Sequence, residues 1–343
     1  MRAANTLIGM GDKYLTRNDM QKPFKCEEAK HWLANIIEDK AEFDRILQNA
    51  FESGDFGDVQ HYQNMVEGQI GVLRDGLVPP KEYMMARAQE IFGSDYVGPE
   101  DITMRLNVIL KNEEVPAIPF SEKELERAKE LGQFLILRIN KARDETPLTM
   151  QKIQKETEWN YELNAERLLA EQDWYNDEPL FKEVTPRMGW ALVGKTFVSD
   201  STSKNYFGQT KALLSYLDGT VYKEIDEMPT EVLNAIDDYA KTANEELAAM
   251  DRDPRKAARF LIGSTINQLF RQTPVEALYD MVMYYDVGGH QPLLQDKSIS
   301  TAGLTTDGRI VRMGRQASFG VFVDNDSPSI SLDGLGVVYS FRG

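Results

Sequence analysis

The sequence predicts an α+β protein: an N-terminal helical domain followed by a second domain of helices and a small antiparallel sheet. Three observations carry this. Residues 23–110 are rich in helix-forming, mixed-charge segments. Two apolar runs, FLILRI at 134–139 and WALVGKTFV at 190–198, read as buried strands. The last fifty residues break into short β-prone runs separated by Gly, Asp, Asn and Ser. That tail is too short and too full of turns to bury a core alone, so it must lean on upstream helices.

In chain order, residues 1–22 read as a flexible lead-in and 23–115 as the helical domain. Within it, 26–34 and 41–51 have helical apolar spacing. Pro79 and Pro80 open a helix over 81–92, and Gly98-Pro99 precede another over 100–111. Pro116 and Pro119 mark a linker, and 119–343 is the second domain. Its first helix starts at Ser121, where SEKE has the capping-box spacing. Helices are expected over 203–217, 230–250, 254–269 and 273–285, the third opened by Asp253-Pro254. The fourth is opened by Thr273 with Glu276 three residues on. The segment 149–171 reads as helical or irregular.

Composition narrows the function. With 55 acidic and 39 basic residues the net charge is −16, which repels phosphate backbones and predicts no nucleic-acid partner. Cys26 is the single cysteine, and His31, His61 and His290 are far apart, so no metal-ligand spacing is present. No stretch of about 18 apolar residues predicts a membrane span. With no apolar leader, the default location is the cytoplasm, with non-classical export as the alternative.

The sharpest motif match is Gly189 to Thr196, GWALVGKT, which satisfies the phosphate-loop pattern and makes an NTPase the alternative reading. Its context argues for a strand. The four residues between the glycines are bulky and apolar, and Phe197-Val198 continue a β pattern where a phosphate loop needs a helix. Asp324, Asn325, Asp326 and Ser327 cluster oxygen ligands that suit calcium, but without the EF-hand spacing. No activated nucleophile is evident, so the chain is read as a non-enzyme needing no cofactor.

The tail combines a small, polar, changeable set of side chains with an apolar frame. The candidate ligand-binding residues are Arg312, Arg315, Phe322, Asp324, Asp326, Ser329, Ser331 and Asp333. The frame residues Ile310, Val311, Val321, Leu335 and Val337 are expected to point inward. An ordinary solvated β edge is the competing reading. A structural subunit of a phage or surface assembly is a further alternative, with the N-terminal helices offering an oligomer contact.

Residues from about 119 to 343 resemble C-type-lectin-like domains. The branch includes formylglycine-generating enzymes and the variable proteins of diversity-generating retroelements. TPVEALY at 273–279 looks like the branch's R-x-P-T-E-A-E-W helix start, and Ser340-Phe341-Arg342-Gly343 like its terminal strand. TPVEALYD, Leu293-Leu294, TTDGRIV and LGVVYS also look like proteins of small-genomed candidate-phyla bacteria. In that set similar blocks recur around variable positions. Formylglycine-generating enzymes use cysteines here, and this domain has none, so the resemblance implies no oxidase. What it implies is recognition of a protein ligand through a tail diversified by adenine-directed mutagenesis.

Overall fold

The computed structural model describes residues 81–343 except 163–167, 171–173, 224–227, 251, 289–291, 317–319 and 343. The lead-in, the helices expected before residue 81, Cys26 and all three histidines lie outside the described residues. The chain divides into two compact units, one of residues 1–86 with 121–123, the other of 87–120 with 124–343. In this division the segment 87–115 falls in the second unit.

Helix α1 spans Lys81–Phe92 and α2 Pro99–Leu106, with the short strand β1, Tyr96–Val97, between them. Helix α2 stops five residues earlier than its apolar spacing suggests. Asn107 adopts the left-handed conformation at φ +54°, which asparagine tolerates, and ends the helix. Helix α3, Glu122–Glu130, leads into β2, Gln133–Arg138, whose six residues are all buried. Helices α4, Met150–Glu162, and α5, Pro179–Lys182, precede β3, Gly189–Phe197. Both apolar runs are therefore strands.

Helix α6, Tyr206–Tyr216, ends in a π-helical turn, Leu217–Val221. Helix α7 is Thr230–Met250. The segment expected as one helix from Pro254 is two, α8 at Pro254–Gly263 and α9 at Thr265–Phe270. Ser264 is extended and breaks them, directly after the helix-weakening Gly263. Asp253 caps α8 by accepting from the Lys256 amide at 3.0 Å. Helix α10, Pro274–Gly288, has the expected capping box: the Thr273 amide donates to Glu276 Oε2 at 2.8 Å, and the Glu276 amide to Thr273 Oγ1 at 3.4 Å.

Five strands follow: β4 Lys297–Leu304, β5 Ile310–Gln316, β6 Gly320–Asp326, β7 Leu335–Gly336 and β8 Val338–Arg342. They do not form the single antiparallel sheet expected. Among the described residues there are two four-stranded mixed sheets, ordered β1-β2-β3-β8 and β6-β5-β4-β7, with β1–β2 and β4–β7 parallel. The last strand leaves the tail's own sheet and pairs with β3, placing Phe341 opposite Leu192. A bulge between Val193 and Phe197 interrupts that pairing.

Helix α10 joins the two sheets, touching β1 and β2 of one and β4 and β5 of the other. It is buried on nearly every side from Val275 to Tyr284, as its all-round apolar sequence requires. Its two buried acids need partners. Arg138 Nε and Nη2 reach the two oxygens of Asp280 at 3.0 and 2.5 Å. Glu276 takes Arg342 Nη2 at 2.5 Å, and Ser340 Oγ takes Arg138 Nη2 at 2.9 Å. This network pins the chain's last strand to helix α10. Among the described residues, no helix is long and apolar enough to cross a membrane.

Candidate functional site

Strand side chains alternate between faces, so β5 and β6 each present two sets. One set, Val311, Met313, Val321 and Val323, is buried, Val311 and Met313 completely. The other includes Arg312, Phe322, Asp324 and Asp326, all partly exposed. The pairing register sets Arg312 opposite Asp324 and Gly314 opposite Phe322.

The exposed set is held together by charge. Arg312 Nη2 contacts Asp324 Oδ2, and its Nε lies 2.9 Å from Asp326 Oδ2. Its guanidinium also stands 5.7 Å from the Phe322 ring centre, close enough for cation–π attraction. Burial pushes the Asp326 carboxyl above its ordinary value, opposed by Arg312 and reinforced by Asp324. On the other side of β6, Arg309 Nη1 donates to Asn325 Oδ1 at 3.2 Å.

Gly314 makes room for this arrangement. A Cβ there would sit 2.2 Å from the Lys297 carbonyl oxygen and 2.7 Å from the Phe322 ring. The oxygen is backbone on the neighbouring strand and cannot swing aside. Gly314→Ala is expected to cost about 1–3 kcal/mol through overpacking, read as a lower denaturant midpoint. An unchanged midpoint would show that Phe322 is not seated over Gly314.

Ile310, Val311, Val321, Leu335 and Val337 are all buried, as expected of a frame. Arg315 is a correction. Residue type groups it with Arg312 on the surface, but it is only 6% exposed. Three positions separate the two arginines, so alternation puts them on opposite faces. Arg315 faces α10, its guanidinium 4.6 Å from the Tyr285 ring centre. Ser329, Ser331 and Asp333 are exposed, but on the 327–334 loop and not on a strand. That loop is tied to the segment before α6: Ser203 Oγ donates to Asp333 Oδ1 at 3.1 Å, and the Tyr206 amide to the Pro328 carbonyl at 3.1 Å.

The outer edge of β6 was not legible in the sequence. The 168–170 segment covers it, with the Val321 amide donating to Leu168 at 2.8 Å and the Ala170 amide to Val321 at 2.9 Å. Trp174 Nε1 donates to the Val323 carbonyl at 3.0 Å. The outer edge of β6 is thereby engaged at Val321 and Val323.

The calcium reading loses its geometry. In an extended strand Asp324 and Asp326 share a face while Asn325 points away, and Arg312 occupies the space between the two carboxylates. Among the described residues no cluster of metal-ligating side chains occurs. The phosphate-loop match is likewise strand β3, between β2 and β8. Residues 189–194 pair with β2, so the stretch before Lys195 is an extended strand where a phosphate loop needs a turn. Lys195 lies in the bulge and donates to Asp95 Oδ2 at 2.7 Å, where Lys129 Nζ also binds at 2.7 Å. ATP or GTP with Mg²⁺ is therefore expected to leave the melting temperature unchanged. A Mg²⁺-dependent rise abolished by Lys195→Ala would restore the nucleotide reading.

No protein-family model, curated protein or solved structure matches the chain.

Proposed function

We propose that this chain is a binding protein that recognises a protein ligand through a mutation-tolerant surface on its C-terminal strands. It would be a C-type-lectin-like variable protein of the retroelement type, acting in the cytoplasm. The N-terminal helical part would tether or oligomerise it. One observation carries the reading: β5 and β6 bury Val311, Met313, Val321 and Val323 on one face, while the other holds Arg312, Phe322, Asp324 and Asp326 partly exposed. Side chains on such a face can change without altering the core beneath. Arginine and aromatic residues there are the types that dominate interface energies. Two elements also agree in kind with the resemblance. The TPVEALY segment starts a helix, and the chain closes on a strand through Ser340, Phe341 and Arg342.

The coding DNA tests the retroelement part. A near-identical template repeat and a reverse-transcriptase gene are expected beside it. Differences between the gene and the template repeat should fall at template adenines, in the codons for residues 312, 322, 324, 326, 329, 331 and 333. A tail invariant across a population, with no template repeat, would remove the retroelement from the proposal. Binding is tested separately, by displaying a library randomised at those seven positions and selecting against unrelated proteins. Specific binders are expected. A well-folded library that yields none would refute the recognition surface.

A further inference from the structure

The chain is strongly acidic, yet one part of its surface is not. Helix α8 carries Arg255, Lys256 and Arg259, all exposed, with Arg252 just before it. The buried side of the helix is Ala257, Ala258, Leu261 and Ile262. The β4–β5 turn, 305–309, packs against the outer side. Gly308 takes φ +83°, and a Cβ built on it would lie 3.3 Å from Arg255 Cβ and 3.6 Å from Arg259 Nη2. The turn also brings Arg309, likewise exposed.

Three carboxylates in this region are already engaged, among them Glu178, which accepts from the Thr306 amide and hydroxyl at 2.8 Å each. Asp253 caps the helix through the Lys256 amide. Asp307 lies 4.0 Å from Arg255 Nη2 and 3.6 Å from Arg309 Nε, and accepts from Thr305 Oγ1 at 2.5 Å. Among the described residues Arg259 and Lys256 have no ion-pair partner. Arg255 and Arg259, four positions apart on one helix face, repel each other. Asp307 answers Arg255 in part, and an acidic ligand would meet the charge that remains at Arg259 and Lys256. Phe260, 41% exposed, adds an aromatic surface on the same helix.

We propose that the outer face of α8 and the 305–309 turn form a docking surface for an acidic polypeptide segment of another protein. The occupant is a polypeptide because a net charge of −16 repels the long phosphate backbone of a nucleic acid, whereas a short acidic segment meets mainly the local field. This surface goes beyond the β5–β6 recognition face and rests on different side chains. The Arg309–Asn325 hydrogen bond ties the turn to β6 on the side opposite Asp324 and Asp326.

The probe is a fluorescein-labelled glutamate-rich peptide, with a glutamine-rich peptide as control, titrated against the full chain by anisotropy. The parent is expected to bind the acidic peptide alone, with affinity falling between about 0.05 M and about 0.5 M salt. Arg255→Ser, Arg259→Ser and Arg309→Ser together should weaken binding by about tenfold or more with an unchanged melting temperature, because all three are exposed. Reversing the three to glutamate should abolish binding, and Phe322→Ser should leave it intact. Peptide binding unaffected by the serine triple would overturn the proposal, as would preferential binding of a labelled RNA. Self-association of the parent that the triple variant abolishes would also overturn it, since the occupant would then be a second copy. Failure here leaves the β5–β6 face untouched, because the library selection reads different positions.

Discussion

Arg138→Met is expected to destabilise the protein by about 3–5 kcal/mol, the usual cost of removing one partner from a buried ion pair. The side chain is 1% exposed and Asp280 is fully buried, so the stranded carboxylate would have no water to turn to. It would keep Gln272 Nε2 at 2.6 Å, which cannot replace a guanidinium bound to both oxygens. Ser340 on β8 would lose its contact with Arg138 as well. Urea melts of parent and variant measure the loss. A cost below about 1 kcal/mol would mean that the network does not hold α10 to the terminal strand.

The network also predicts a pH dependence. Burial pushes the Glu276 carboxyl up, but Arg138, Arg342 and the Thr273 and Arg187 amides outweigh it and hold it below its ordinary value. A carboxylate with a lowered folded value stabilises above the ordinary range, near pH 4.3, and that contribution disappears as pH falls through the folded value. Asp280 runs the other way, since burial outweighs Arg138 and raises it. Its part of the stability declines as pH rises through its folded value. Glu276→Gln should therefore be weaker than the parent at neutral pH, and the gap should close in acid.

Met313→Asp is expected to unfold the second unit, at a cost above about 4 kcal/mol. Met313 is completely buried, opposite Val323 on β6 and Ile299 on β4. An aspartate there would have only apolar neighbours across the ladder. Val321 is a milder position for the same test, because the register sets it opposite Arg315 and an aspartate would meet a cation. Retained cooperative unfolding of Met313→Asp would show that this face is not the core.

Much of the fold was legible in the sequence because apolar runs and helix caps are local signals. The runs FLILRI and WALVGKTFV, the Asp253 cap and the Thr273–Glu276 box all appear in place. What was not legible depends on partners distant in sequence. Nothing local says that β8 crosses to β3, or that 168–170 covers β6. The site was half legible. Alternation was sufficient to separate Arg312 from Arg315, but both were grouped by residue type. The arginine ridge needed the turn at Gly308 to fold back on α8, a contact that charge counting over the whole chain hides.

The most direct measurement is a pair of urea melts with the ligand assay run on the same samples. Arg312, Phe322 and Asp324 are replaced together by serine in one variant, and Met313 by aspartate in the other. The division between exposed face and buried frame predicts that the serine triple unfolds cooperatively, within about 2 kcal/mol of the parent, and loses a ligand selected on the parent surface. The Met313 variant should not fold. A serine triple that unfolds like the Met313 variant, or one that folds and keeps the ligand at parent affinity, would contradict the assignment of β5 and β6 as a recognition surface.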